Sequence, residues 1–182
     1  MHIIFKMKYK AIIFLMVSIF FSCRNEKPQI PFNKRPPDMT KENLLEMNRV
    51  LAELEKKNIA EYIAKTDTSF KQSSSTFWYK IENGGNGELL KRGDKVHIRF
   101  NLSLLDGSLC YTPDNKGDQT ITIGRYDINR GLDEALLTLR EGGRGKFIIP
   151  ADLAFGIIGD QDCIGSKQTV IYDILSVEKN DF

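Results

Sequence analysis

The sequence has few of the residues on which metal-dependent or nucleophilic enzymes rely. Its 182 residues include two histidines, three cysteines and one tryptophan. His2 lies near the N-terminus and His97 lies alone in a strand-like pattern, so the chain has no paired metal-ligand motif. Nor does it contain an evident nucleophile–base constellation. We therefore expect no metal and no cofactor.

The chain also lacks a strong charge of either sign. Its 26 basic and 24 acidic residues leave a net charge of +2, which is too small to indicate a nucleic-acid partner. It has no basic–aromatic stripe and no phosphate-binding loop. With 41% hydrophobic and 27% charged residues, the composition is typical of a globular domain, and the length allows one such domain with extensions.

The N-terminal residues have the pattern of an export signal. Three lysines precede the apolar segment 11–21, which is too short to span a membrane comfortably. The segment ends at Ser22 and Cys23, and a small residue before a cysteine resembles the lipobox of bacterial lipoproteins, in which that cysteine carries lipid such as palmitate. We predict a lipoprotein signal peptide over residues 1–22 and a lipid on Cys23. An ordinary signal peptide that contains a cysteine is the alternative.

Two further segments separate this leader from the main domain. Residues 23–38 hold four prolines among polar residues, which predicts a tether. Residues 39–76 are predicted as a helical extension and linker, with Thr40 as N-cap and apolar residues at three- and four-residue steps to about Ala64. This helix either packs on the following domain or pairs with another copy to form a homodimer.

Residues 77–182 combine strand patterns with turns. The clearest alternation of apolar and polar residues runs from Val96 to Leu104, and segments 77–81 and 170–177 also favour strands. Residues 111–119 are predicted as an irregular loop. These patterns indicate an antiparallel sheet.

One short helix is predicted within the domain. Four apolar residues fall on one helical face, and they are Leu132, Ala135, Leu136 and Leu139. The pair Gly142–Gly143 is expected to end this helix, because glycine readily takes a left-handed C-terminal conformation. A strand over 146–149 follows. We therefore expect an α+β fold in which an antiparallel sheet curls over one helix.

Three stretches resemble the FKBP family of peptidyl-prolyl cis-trans isomerases. They read GDKVHIRFNLSLLDG, IGRYDINRGLDEALLTLREGGRGKFIIPADLAFG and TVIYDILSVEK. The resemblance covers roughly Phe77 to Lys179 and implies an FKBP-like antiparallel half-barrel wrapped around one short helix, with residues 77–182 as the isomerase domain. The layout, with its N-terminal helical extension, is also similar to that of gliding-motility-associated FKBP-type bacterial lipoproteins.

The resemblance implies ten positions in a shallow apolar pocket. The five expected to act on the substrate are Phe100, Ile128, Asn129 (through its backbone N–H), Phe155 and Tyr172. The five expected to line the pocket are Cys110, Tyr111, Gln119, Leu132 and Ile164. Phe155 replaces a tyrosine that donates a hydrogen bond in many members, and Tyr172 stands at a phenylalanine position. Cys110, Tyr111 and Gln119 replace a phenylalanine, an aspartate and a second phenylalanine.

The resemblance also implies a function. A pocket that favours the twisted over the planar X–Pro amide needs no nucleophile, because water solvates the charge separation of the planar form better. We expect a lipid-anchored prolyl isomerase at the periplasmic face or cell envelope, which assists folding of exported, proline-containing polypeptides. The alternative is a non-catalytic FKBP-fold binding or assembly module with an eroded pocket, within a motility or secretion apparatus.

Two cysteines remain besides Cys23. Cys110 stands at a pocket position, and Cys163 precedes Ile164 in the loop that covers the pocket in the family. They form either a disulfide across the pocket rim or two free thiols that pack as small apolar residues.

Overall fold

A computed structural model describes residues 40–125 and 127–180. Within these ranges the chain forms two helices, α1 (Lys41–Thr66) and α2 (Arg130–Leu136). Its seven strands are β1 (Lys71–Gln72), β2 (Trp78–Asn83), β3 (Lys95–Leu104), β4 (Leu109–Tyr111), β5 (Asp118–Thr122), β6 (Arg144–Ile149) and β7 (Val170–Lys179). The predicted signal peptide, lipid site and tether lie outside these residues. No helix in the described ranges is long and apolar enough to cross a membrane.

The seven strands form one antiparallel sheet. Its order is β1-β2-β6-β7-β3-β4, and β5 also pairs with β3. The alternation predicted along β3 is confirmed, because Val96, Ile98, Phe100 and Leu102 are buried and the residues between them are not. The sheet therefore presents one continuous apolar face to the core.

The region predicted as an irregular loop from Tyr111 to Gln119 is partly strand, so that prediction was wrong. Tyr111 ends β4 opposite Leu102, and Gln119 lies within β5 opposite Ile98. Pairing with β3 supplies backbone hydrogen bonds that the local sequence does not suggest. Only residues 112–117 remain outside the strands.

Helix α2 packs on the apolar face of the sheet. The four core residues predicted here, of which Leu139 lies just beyond the helix, are confirmed as buried, and each is at most 1% exposed. Gly131 permits this close packing, because a Cβ atom there would lie 2.2 Å from Cγ2 of Ile149 on β6. The expected α+β arrangement of a sheet around one short helix is present.

The predicted end of α2 was wrong. The helix ends at Leu136, well before Gly142. The chain turns away because Leu139 accepts a backbone hydrogen bond from Leu90 (3.1 Å). Gly142, with φ of 76°, instead serves the turn that leads into β6.

Helix α1 covers part of the opposite face of the sheet. Thr40 begins the helix as predicted, since its hydroxyl accepts a hydrogen bond from the Asn43 N–H (3.3 Å). Ile59 is fully buried against Ile148 and Ile171, so the C-terminal half of α1 packs on the domain. Its N-terminal half leaves several large apolar side chains exposed, namely Leu44, Leu45, Met47, Val50, Leu51 and Leu54.

The segment after α1 is not a plain linker. It contains strand β1, which extends the sheet by pairing with β2 at Trp78 and Tyr79. It also contains Asp67, whose carboxylate accepts a hydrogen bond from Lys80 on β2. The extension is therefore attached to the sheet by its backbone as well as by α1.

Candidate active site

Eight of the ten predicted site residues come together in one apolar cluster. Five are buried and three are partly buried against them; they are Phe100, Tyr111, Leu132, Ile164 and Tyr172, with Cys110, Ile128 and Phe155. Strands β3, β4 and β7 and helix α2 supply most of them, and the segment 150–169 supplies Phe155 and Ile164. The cluster thus joins the sheet, the helix and one long connection.

Two aromatic rings form the base of this cluster. The centroids of Phe100 and Tyr172 lie 5.1 Å apart with the rings at 65°, an edge-to-face contact. Each residue is 3% exposed. They meet because β3 pairs directly with β7, where Tyr172 faces Leu102. Burial raises the pKa of the Tyr172 hydroxyl well above its usual range.

Asn129 lies beside the cluster and uses its side chain as well as its backbone. It is the N-cap of α2, where its Oδ1 accepts a hydrogen bond from the Leu132 N–H (2.9 Å). Its Nδ2 donates to the hydroxyl of Tyr172 (2.7 Å). From the sequence, only the backbone N–H of Asn129 is expected to act on the substrate. An asparagine just before a helix is a known capping signal and could have indicated the first of these contacts.

A disulfide bond closes one side of the cluster. Cys110 of β4 and Cys163 of the segment 150–169 are bonded, with their Cα atoms 5.6 Å apart. Of the two alternatives that the sequence allows, a bridge or two free thiols, the structure contains the bridge. It ties the segment that carries Phe155 and Ile164 to the sheet.

A partly buried hydrogen bond lies next to this bridge, at the rim of the cluster. The Tyr111 hydroxyl donates to Oδ2 of Asp160. Oδ1 of Asp160 accepts hydrogen bonds from the backbone N–H groups of Asp162 (3.0 Å) and Ile164 (2.8 Å). Burial and the Asp160 carboxylate raise the pKa of Tyr111. Burial also raises the pKa of Asp160, but these hydrogen bonds outweigh burial, and its pKa is lowered.

Lys116 adds a third connection at the same edge. Its Nζ lies 2.7 Å from Oδ2 of Asp162 and 4.8 Å from the ring centroid of Tyr111. The bond to Asp162 raises the pKa of Lys116. The sequence does not reveal the roles of Lys116, Asp160 and Asp162. Lys116 and Asp162 are 46 positions apart, and Tyr111 and Asp160 are 49 apart, so neither pair leaves a local pattern.

Gln119 is the second predicted site residue, after Asn129, that lies outside the apolar cluster. Its Nε2 donates to the backbone oxygen of Lys116 (2.6 Å), so its side chain supports the loop 112–117. It lies opposite Ile98 on the β5–β3 ladder. Its role in substrate binding stays a prediction.

Helix α1 holds the segment 150–169 from the other side. Oε1 of Glu55 accepts hydrogen bonds from the Ala151 N–H (2.8 Å) and from the Thr169 hydroxyl (2.5 Å). One carboxylate oxygen thus binds both ends of the segment. A groove of about 620 Å³ lies beside this contact, and none of the ten predicted site residues lines it.

Across residues 40–125 and 127–180, no group of three or more His, Cys, Asp and Glu side chains could hold a metal ion. The cluster offers apolar and aromatic surface, a phenol at its base and a polar rim. Such a site can enclose a small apolar group and remove it from water.

Comparison with known proteins identifies the domain that contains this site. Residues 87–175 match the model of the FKBP-type peptidyl-prolyl cis-trans isomerase family. These residues belong to the FKBP-type family. The cluster of eight residues lies within the FKBP-type domain.

Curated relatives agree with this assignment. FkpA of Buchnera aphidicola is 31% identical over 104 residues, which cover 57% of this chain and 42% of the relative. FkpA of Escherichia coli is 28% identical over 118 residues, covering 65% of this chain and 43% of the relative. The chain spans less than half the length of these curated relatives.

Solved structures share the fold. The crystal structure of Escherichia coli FkpA matches with a TM-score of 0.59 at 26% identity, over 76% of this chain and 63% of that one. AtFKBP13 matches with a TM-score of 0.58 at 23% identity, over 61% of this chain and 98% of that one, and shows the fold alone. The FKBP-like fold expected from the sequence is confirmed.

Proposed function

We propose that the protein is a lipid-anchored, extracytoplasmic peptidyl-prolyl cis-trans isomerase acting on proline-containing polypeptides. The observation that carries this proposal is the apolar cluster around Phe100 and Tyr172, which lies inside an FKBP-type domain. The isomerase relatives named above support the same activity.

Catalysis in such a site rests on removing water. Rotation about the X–Pro bond faces a barrier of about 20 kcal/mol, because the planar amide has double-bond character. The planar form is also the more polar one, so an apolar surrounding raises its free energy relative to the twisted form. Phe100, Leu132 and Phe155 would supply this surrounding, and each tenfold gain in rate requires about 1.4 kcal/mol.

The proposed location outside the cytoplasm rests on two features. Disulfides persist in oxidising compartments, and the domain contains the bridge between Cys110 and Cys163. The leader has three lysines, an apolar segment and the junction Ser22-Cys23. Lipid on Cys23 would hold the domain at the periplasmic face or cell envelope, where it would assist folding of exported proteins.

We further propose that the N-terminal half of α1 pairs with a second copy of the chain. Leu45, Val50 and Leu54 are each more than half exposed, which is unusual for large apolar residues on one helix. Pairing two such helices would cover these side chains.

A second candidate is a non-catalytic FKBP-fold binding or assembly module, within a motility or secretion apparatus. The rim favours it, since the disulfide, the Tyr111–Asp160 hydrogen bond and the Lys116–Asp162 ion pair all tie the segment 150–169 across the site. A pocket held in this way admits a substrate less readily.

A protease-coupled isomerisation assay on the full chain in mild detergent separates the two candidates. The isomerase should accelerate conversion of a proline peptide, and Phe155→Ala should lower kcat/KM at least about tenfold by removing pocket surface. Phe70→Ala is the matched control, since Phe70 packs under α1 and away from the site. A wild-type rate equal to the uncatalysed one, with peptide binding retained, would favour the module.

A further inference from the structure

The hydroxyl of Tyr172 can still donate a hydrogen bond. Tyr172 is 3% exposed and lies in the apolar cluster with Phe100, Leu132 and Ile164. Within residues 40–125 and 127–180, Asn129 is the one residue with a hydrogen bond to this hydroxyl. A phenol can donate one hydrogen bond and can also accept one. The direction of the bond to Asn129 therefore decides whether the O–H of Tyr172 can still donate to another group.

The start of helix α2 fixes that direction. Oδ1 of Asn129 accepts from the Leu132 N–H (2.9 Å), which needs an acceptor at the helix N-terminus. The amide group must therefore turn its Nδ2, which can only donate, toward Tyr172 (2.7 Å). The tyrosine oxygen accepts this bond, and its own O–H must point elsewhere. The helix cap thus leaves Tyr172 as a hydrogen-bond donor in an apolar site.

Two neighbouring polar groups already donate hydrogen bonds within the protein. The Tyr111 hydroxyl donates to Asp160, and Nδ2 of Asn129 donates to Tyr172. Burial raises the pKa of Tyr172, so its hydroxyl stays protonated over the physiological range.

We propose that the Tyr172 hydroxyl donates a hydrogen bond to the proline nitrogen of the substrate as the X–Pro bond twists. This inference rests on the proposed isomerase function. In the planar amide the nitrogen lone pair is delocalised into the carbonyl group and accepts hydrogen bonds poorly. Rotation localises the lone pair on nitrogen and makes it an acceptor. A donor placed there stabilises the transition state more than the ground state, whereas a donor to the carbonyl oxygen would favour the planar form.

The step involves no covalent change. The proton stays on the tyrosine oxygen throughout, and the hydrogen bond weakens again when the amide becomes planar in its other isomer. The apolar surroundings of Phe100 and Leu132 strengthen the bond, because water does not compete for the donor.

Two substitutions test the donor in different ways. Tyr172→Phe removes the hydroxyl and keeps the ring. Asn129→Asp keeps both the tyrosine and the cap, since aspartate caps as well as asparagine. Its second carboxylate oxygen, however, accepts the Tyr172 proton and takes the donor away from the substrate. Tyr79→Phe is the matched control, because Tyr79 packs beside Phe77 on β2, which β6 separates from the strand of Tyr172.

The kinetics of the full chain in mild detergent give the readout. We expect Tyr172→Phe and Asn129→Asp each to lower kcat at least about tenfold with little change in KM, and Tyr79→Phe to match wild type. A kcat within about twofold of wild type for Tyr172→Phe overturns the inference. So does a loss confined to KM, or a wild-type kcat for Asn129→Asp. If Tyr172→Phe fails to fold by circular dichroism, Asn129→Asp alone decides. A wild-type chain without activity instead overturns the proposed function itself.

Discussion

Replacing both cysteines of the Cys110–Cys163 bridge measures how firmly the pocket rim is held. The double substitution to alanine removes the covalent link between β4 and the segment 150–169. Two noncovalent links remain beside it, the Tyr111–Asp160 hydrogen bond and the Lys116–Asp162 ion pair. The question is how much of the free energy of unfolding these can preserve.

The structure gives the expected magnitude. The two cysteines are 53 positions apart in sequence, and closing a loop of that size stabilises the folded state by about 4 kcal/mol in the chain-entropy model. The Lys116–Asp162 pair has side chains that are 55% and 61% exposed, so it contributes at most about 1 kcal/mol. The remaining links cannot compensate, because they are already present in the wild type. We expect the double variant to lose about 4 kcal/mol of unfolding free energy.

Urea unfolding followed by the fluorescence of Trp78, the single tryptophan, is a suitable assay. With a slope of about 2 kcal/mol per molar urea, the midpoint should fall by about 2 M. A dithiol reductant should lower the wild-type midpoint to a similar value and leave the double variant unchanged. Cys23 is present in both proteins and therefore does not affect the comparison.

Two results would refute this reasoning. Equal midpoints for the wild type and the double variant would mean that the bridge does not restrict the unfolded chain. Two titratable thiols from Cys110 and Cys163 in denaturant without reductant would mean that the bridge is not formed.

Four further predictions concern other parts of the molecule. Cys23→Ser should release the protein from membranes, and a variant that stays in the membrane fraction after a high-salt wash would show another anchor. Isomerase activity should be nearly constant from about pH 6 to 8. The raised pKa values of Tyr111 and Tyr172 and the lowered pKa of Asp160 all lie outside this window. A bell-shaped pH profile would contradict the mechanism. Because its folded-state pKa is lowered, ionised Asp160 should stabilise the protein fully above its unfolded pKa of about 3.9. This stabilisation should be lost as the pH falls through the folded-state pKa. Asp160→Asn should therefore weaken the loss of stability in acid, measured by urea unfolding, and an unchanged dependence on pH would contradict this. Glu55→Ala should cost about 1–3 kcal/mol by leaving two partners unpaired, whereas Glu55→Gln, which keeps an acceptor oxygen, should cost clearly less; equal losses would argue against the hydrogen bonds.

The sheet and most of the site could be predicted from sequence because their signals are local or follow the family pattern. Alternation along β3 indicated that Phe100 faces the core, and helical spacing did the same for Leu132. The resemblance then gave the register that brings Tyr172 and Ile164 to the same cluster. The catalytic roles of these residues stay predictions.

The remaining features depend on contacts between distant parts of the chain. Helix α2 ends early because Leu139 bonds to Leu90, which no property of the helix sequence reveals. Gln119 turns to the backbone of Lys116 because β5 pairs with β3 in a register that the local pattern does not fix. The hydrogen bond from the Asn129 side chain to Tyr172 required the position of β7 to be known.

The contact between Glu55 and the segment 150–169 has a consequence for the order in which the protein folds. Its two hydrogen bonds join residues 96 and 114 positions apart, so α1 reaches its partners only after nearly all of the sheet-forming sequence is available. Contacts of such long range slow folding, because a large loop must close before they form. Until β6 and β7 pair, Ile59 and the apolar residues of α1 stay in water, where they can associate with other chains. A protein that would assist the folding of others thus has an early helix that depends on the last strand of its own sheet.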